Sequence, residues 1–265
     1  MYSRLQLAKK YIRYYLGAAN GKGHGTHSPF VFDFIIHVLN DDKHYDIYDK
    51  AEAIRLKMLR DTRQISVDDF GAGSTVLSAR SRKVSDIARS SLKPKKYAQL
   101  IFRIARYYQC RHIIELGTSL GITSCYLAAA GEDVALHTLE GATTIANIAR
   151  ENFKEAGLNN IYLVQGNFEQ TLPALINEQG PPDLVFIDGN HRKTPTLAYF
   201  EMFRNKAHEN TILIFDDIHW SEEMEEAWQE IIACPGVTCS IDLFFIGIVF
   251  FRKNFKATQN FTIRF

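Results

Sequence analysis

Cysteine is scarce in this chain. Its four residues, Cys110, Cys125, Cys234 and Cys239, are spread through a length of 265, and no two form a Cys-x-x-Cys pair. Each reads as a small apolar core group, so a reducing, cytoplasmic setting is expected. Long apolar runs are missing as well. No stretch reaches the roughly 18 uncharged residues that suit a membrane crossing. Over residues 1–19, basic and apolar residues alternate and leave no apolar centre for an export signal. Export, a membrane span and a membrane partner are thereby excluded from the expectations. Internal repeats, low-complexity tracts, an arginine-rich block and RNA-binding motifs are also absent, so nucleic acid is not an expected partner. With 46% apolar residues, the chain can fill a sizeable core.

Net charge is nearly absent too, at +1, yet it is unevenly spread. Residues 1–110 hold 20 Lys and Arg against 10 Asp and Glu, whereas residues 111–265 hold 11 against 20. The basic residues are dispersed, which favours contact with the acidic part of the same chain or of a second copy; a homodimer is therefore admitted among the partners.

Hydrophobic spacing orders the rest. Residues 2–16 read as an amphipathic helix through Leu5, Ala8, Ile12, Tyr15 and Leu16, and the glycines from Gly17 to Gly25 break it. Ser28 and Pro29 supply a cap and a first-turn proline for a helix over 30–39, and another helix is expected over 47–59. Ile65-Ser66-Val67 leads into Asp68-Asp69-Phe70-Gly71-Ala72-Gly73-Ser74, read as a lid or hinge loop, because the polar and basic stretch 81–91 offers no second strand ending in an acid. After a helix over 97–108, strands at 113–116, 135–139, 161–164, 184–187 and 211–215 alternate with helices at 122–130, 143–155, 169–178, 194–206 and 222–234. A hairpin over 237–242 and 245–251 follows, and 258–265 is an edge strand or a subunit contact. This alternation predicts an α/β fold, a doubly wound parallel sheet covered on both faces, with an antiparallel terminal hairpin and an N-terminal helical extension. Residues 1–92 are expected to form the helical cap or lid, and 93–265 the ligand-binding domain.

Between the first of these strands and its helix stands Glu115-Leu116-Gly117-Thr118-Ser119-Leu120-Gly121. Glycines here permit a sharp turn and close approach to a ligand, while the following helix offers N–H groups. A carboxylate two residues before the first glycine would repel a diphosphate but suits a ligand with a cationic amino acid portion, such as S-adenosylmethionine. Glu140 closes the next strand, where a ribose diol would lie; a solvated strand end is the plainer alternative. A dinucleotide site would want glycine where Ser119 stands.

At these residues the chain resembles the class I S-adenosylmethionine-dependent methyltransferases, particularly the catechol-type and caffeoyl-CoA-type O-methyltransferases, over roughly 90–252. The resemblance implies a Rossmann-like methyltransferase domain, with Glu115, Gly117, Thr118, Ser119 and Gly121 around the methionine portion and Glu140 and Gly141 at the ribose. Asn167 and Phe168, after the third strand, are candidates for the adenine, although Asn167 is an equally good helix cap. Ser90, Ser91 and Leu92 correspond to a segment lying against the cofactor in those families.

Three further acids close later strands: Asp188 the fourth, Asp216 and Asp217 the fifth. Carboxylates brought together resist ionisation unless a cation neutralises them, and an oxygen-rich set suits Mg²⁺ or a similar divalent ion; helix capping is the competing role. The resemblance places Asp188, Asp216 and Asp217 at a metal site, with Asp217 departing from the family's Asn, and Asp188 is also a candidate catalytic and cofactor-binding residue. It places His191 where the catechol-type enzymes carry the lysine that takes the acceptor proton; ordering the loop is its alternative. Imidazole suits that task near neutrality. His219 and Trp220 are expected to line the acceptor pocket, with His219 as second choice of base. The function implied is methyl transfer to a hydroxyl oxygen of a small molecule, assisted by a divalent cation. A noncatalytic S-adenosylmethionine-binding regulator, or an enzyme acting on another acceptor such as nucleic acid, is the alternative.

Overall fold

The computed structural model describes residues 1–67 and 80–265. The expected loop 68–74 lies outside the described residues. In chain order the elements are α1 (Arg4–Gly17), α2 (Pro29–Phe34), a π-helical turn (Ile35–Leu39), α3 (Asp46–Arg60), β1 (Gln64–Val67), β2 (Arg80–Lys83), α4 (Val84–Ser91) and α5 (Lys95–Tyr107). Next come β3 (His112–Leu116), α6 (Ile122–Ala128), β4 (Ala135–Glu140), α7 (Thr143–Ala156), β5 (Ile161–Gln165), α8 (Phe168–Gln179), β6 (Leu184–Ile187) and α9 (Lys193–Arg204). The series ends with β7 (Ile212–Asp216), α10 (Glu222–Ala233), β8 (Cys239–Asp242), β9 (Ile246–Phe250) and β10 (Gln259–Thr262). Two compact units result: Asp42–Gln179, and Met1–Asp41 together with Gly180–Phe265.

In the unit Asp42–Gln179, β3 pairs in parallel with β4 and β4 with β5, with Ile114 opposite His137 and His137 opposite Tyr162. Parallel neighbours need a crossover, and α6 and α7 provide it. Every residue of α6 is buried. One segment departs from the expectation. The polar stretch after residue 80 is regular: β2 pairs antiparallel with β1 from Gln64 opposite Lys83 to Val67 opposite Arg80, and α4 follows at once. Its signal was the spacing of Val84, Ile87 and Ala88, which are buried on one face among basic residues that mask it.

In the other unit β6 and β7 are parallel, β7 and β9 antiparallel, β8 and β9 antiparallel, and β10 runs parallel to β8. The expected terminal hairpin is thus present, and residues 259–262 of the expected C-terminal segment form an edge strand. Ala19 bridges to Ile263, which ties the end of α1 beside that edge. Ser28 occupies the N-cap of α2 but makes no side-chain cap bond; Pro29 and the Phe32 N–H donating to the Ser28 carbonyl define that start.

Trp228 of α10 lies over β9, and a Cβ placed on Gly247 would stand 2.6 Å from its Cζ3 and 2.7 Å from its Cη2. The ring is buried and has no room to withdraw. Gly247→Ala should therefore cost about 1–3 kcal/mol of stability in urea unfolding. Gly131→Ala, whose nearest neighbour is 3.5 Å away, should remain near the wild type in the same assay.

Candidate active site

In the unit Asp42–Gln179 the ends of three parallel strands are sewn together by backbone amides. The N–H groups of Gly117 and Thr118 both donate to the Leu139 carbonyl at 3.1 Å, and Gly166 N–H donates to the Glu140 carbonyl at 3.0 Å. Glu140 adds its side chain: Oε2 accepts from Ser119 N–H at 2.8 Å and Oε1 from Ala142 N–H at 2.9 Å. Burial raises the Glu140 carboxyl above its ordinary value, and the amides of Ala142, Ser119 and Gly141 offset that rise only in part. Each of its oxygens accepts one amide, and a carboxylate has further lone pairs for a diol.

The turn itself is bent into the left-handed region at three points, with φ of 105° at Gly117, 47° at Ser119 and 78° at Gly121. Glycine accepts this at little cost, whereas serine does not. The Ser119 amide bond to Glu140 holds that conformation, and Ser119 Oγ lies 2.8 Å from Ser91 Oγ. Ser91, at the end of α4, is therefore beside the turn.

Glu115 is fully buried. Ser124 and Thr138 donate their hydroxyls to its Oε2, and its Oε1 has no hydrogen-bond partner among the described residues. Burial pushes its carboxyl up to about 7 against the pull of those two hydroxyls, with the Glu140 charge adding to the rise. Thr118 is buried too, its hydroxyl 2.6 Å from that of Thr138. Asn167 receives the Glu169 N–H on its Oδ1 and the Gln170 and Thr171 N–H groups on its carbonyl, so it orders the start of α8. Phe168 and Gly141 are both partly exposed.

In the second unit Asp188, His191 and Asp216 form a cluster, their ligand atoms all within 4.8 Å of one another. His191 Nε2 is 3.6 Å from Asp188 Oδ1. Asp217 stands outside this cluster, in a left-handed conformation at φ 54°, its N–H donating to the Phe245 carbonyl at 2.7 Å. The N-cap of α10 is Ser221, whose Oγ accepts from Met224 N–H at 3.3 Å, so neither aspartate caps that helix.

His219 has carboxylate partners on both ring nitrogens. Its Nδ1 lies 2.9 Å from Glu225 Oε1 and its Nε2 2.8 Å from Asp242 Oδ2, which engages both nitrogens, and its ring stacks on Phe244 at 5.0 Å. Burial alone would lower its pKa, but the Asp242 and Glu225 carboxylates outweigh burial and hold it raised. Sequence reasoning missed this bridge, since Glu225 lies six residues on, in the first turn of α10, and Asp242 on a separate strand.

The raised Glu115 carboxyl has a consequence for stability. The unfolded chain ionises first as pH rises, so this group's contribution is full below its ordinary value of 4.5 and is lost as pH climbs through about 7. Glu115→Gln should remove that loss. Its melting temperature relative to the wild type should rise between about pH 5 and about pH 8; a difference that stays flat with pH would mean that Glu115 does not titrate in this way.

Residues 114–218 match a family model described as a methyltransferase domain. Comparison with curated proteins gave no match. Among solved structures, an O-methyltransferase from Bacillus cereus in complex with S-adenosylhomocysteine is similar at 19% identity and a TM-score of 0.57, over 80% of this chain and 93% of that one. A methyltransferase of Podospora anserina bound to S-adenosylhomocysteine aligns at 15% identity and a TM-score of 0.60, over 85% and 97%. The O-methyltransferase TomG of Streptomyces achromogenes, in complex with S-adenosylmethionine, aligns at 21% identity and a TM-score of 0.54, over 84% and 95%. The strand-end turn and its acids thus fall within the stretch that matches the methyltransferase-domain model, and the chain shares the fold of these methyltransferases.

Proposed function

We propose that this chain transfers a methyl group from S-adenosylmethionine to a hydroxyl oxygen of a small molecule, with Asp188 and Asp216 holding a divalent cation. The observation that carries the reading is the Asp188, His191 and Asp216 cluster, whose ligand atoms lie within 4.8 Å of one another. Two carboxylates gathered with an imidazole suit a hard or borderline divalent ion, and Mg²⁺ is the first choice. On the donor side, Glu115 Oε1 is a buried acceptor that a nearby ammonium group would satisfy, and Glu140 retains lone pairs for a ribose.

Bound there, S-adenosylmethionine supplies an electrophilic methyl on a cationic sulfur leaving group. A divalent cation, when held, orients acceptor oxygens and lowers the acceptor's pKa. The protein's task is mainly alignment. Glu140 and the 117–121 turn fix the donor, and Asp188 and Asp216 fix the acceptor end. His191 takes the hydroxyl proton, with Asp188 oriented beside its ring. As the C–S bond breaks and the C–O bond forms, S-adenosylhomocysteine and a methyl ether result.

Glu140→Ala should weaken S-adenosylmethionine binding by roughly 10- to 100-fold in calorimetry, the loss of a charge-assisted hydrogen bond. Asp188→Ala should keep that affinity within a fewfold and abolish turnover; thermal melts must show both variants folded. Wild-type turnover by folded Asp188→Ala would end the cation-assisted reading and leave cofactor binding intact. Chelation should likewise stop turnover without displacing the cofactor. His191→Gln should lower kcat and remove the acidic limb of its pH profile; a fall in Mg²⁺ affinity instead would make His191 a ligand.

A further inference from the structure

Helix α1 has two opposite faces in different company. On one, Tyr14 and Ala18 are buried with Phe244, and Leu7, Tyr11 and Phe245 pack against them. Lys10 Nζ pairs with Glu225 Oε2 at 2.8 Å, and the Tyr14 hydroxyl donates to the Ile263 carbonyl. This face fixes the helix to its own unit. The other face holds Leu5, Ile12, Tyr15 and Leu16, exposed at 66, 58, 48 and 72%. Met1, just before the helix, is exposed at 84%. At about 100° per residue, Leu5, Ile12 and Leu16 fall in one narrow stripe pointing away from the packed face.

Charge frames that stripe. Helical geometry sets Arg4 on one flank and Lys9 and Arg13 on the other, all three exposed. The sequence RLQLAKKYIRYYLG contains no acid. Arg264 adds its guanidinium over the Tyr15 ring at 5.0 Å. A globular protein hides such a row of large apolar side chains unless something covers it.

We propose that α1 docks this chain on a membrane surface bearing anionic lipids, lying in the headgroup plane with Leu5, Ile12 and Leu16 turned into the bilayer. Basic flanks on an apolar stripe are the features that bind a helix to such a surface. No helix among the described residues is long and apolar enough to cross a membrane, and a helix lying in the interface needs no such length. The expectation of no membrane partner rested on the lack of a crossing segment, so it does not reach this mode of binding. A second copy fits the stripe less well: two α1 faces set together would bring Arg4, Lys9 and Arg13 against their own like charges.

Co-sedimentation of the full chain with phosphatidylcholine vesicles, with or without roughly one-third phosphatidylglycerol, tests the proposal. The anionic vesicles should carry the protein down, the neutral ones should not, and high salt should release it. Replacing both Arg4 and Lys9 by Gln should weaken binding by about fivefold for each cation removed. A Leu5→Gln, Ile12→Gln and Leu16→Gln triple variant, altered only at exposed positions, should lose binding while keeping its melting temperature and S-adenosylmethionine affinity. Failure of the wild type to bind anionic vesicles would overturn the inference, as would equal binding by the triple variant. A wild-type dimer that the triple variant dissolves, without lipid binding, would assign the stripe to chain association instead.

Discussion

The turn after β3 depends on a carboxylate that holds backbone in place. Glu140 closes β4, yet its side chain reaches the amide of Ser119, in the turn that follows β3. That bond offsets the strain of a serine at a φ of 47°, which otherwise belongs to glycine. The Glu140 carbonyl simultaneously receives Gly166 N–H, so the turns after β3 and β5 are both registered on the end of β4. A ribose bound by Glu140 would thus meet an acid already immobilised. Little side-chain entropy is then left to lose on binding, the usual advantage of a prearranged site.

The parts legible in the sequence were those where backbone geometry and residue type coincide. Glu115-Leu-Gly-Thr-Ser-Leu-Gly carries its turn in its glycines, and the buried strands β6 and β7 carry theirs in unbroken Leu, Val, Ile and Phe. What escaped notice depends on long-range pairing. Nothing local in Gln64–Val67 announces that Arg80–Lys83 will lie beside it, and the apolar face of α4 amounts to Val84, Ile87 and Ala88 among charges. His219 escaped for the same reason: its role comes from Glu225 and Asp242, six and 23 residues away. In α1 the helical period was plain, but Leu5, Ile12 and Leu16 fitted a core face equally well, and only packing revealed Tyr11 and Tyr14 as the inward side.

Acids in this chain are sorted by their surroundings rather than by their number. Glu115 sits among apolar side chains with two hydroxyl donors and is driven toward the neutral form, whereas Glu225 meets Lys10, His219 and Tyr2 and stays ionised despite partial burial. Asp188 and Asp216 are gathered with His191, their ligand atoms within 4.8 Å of one another. A neutral acid, an ion-paired acid and a crowded pair thus arise from the same carboxyl group in three surroundings.

The fastening has a consequence for how the unit Met1–Asp41 with Gly180–Phe265 works. Glu225 accepts from Tyr2, Lys10 and His219, and Tyr2 N–H also donates to the Trp220 carbonyl, so the start of α1 is bound to the loop that follows Asp216 and Asp217. Trp220 N–H in turn closes on the Asp217 carbonyl at 2.9 Å. Whatever α1 rests on can therefore reach the segment beside Asp216 through a continuous chain of hydrogen bonds, without passing through mobile side chains of the core. Such a path transmits force only if its links have two arrangements. The short backbone bonds and the doubly held His219 describe one arrangement, so the connection positions the turn from Asp217 to Trp220 rather than switching it.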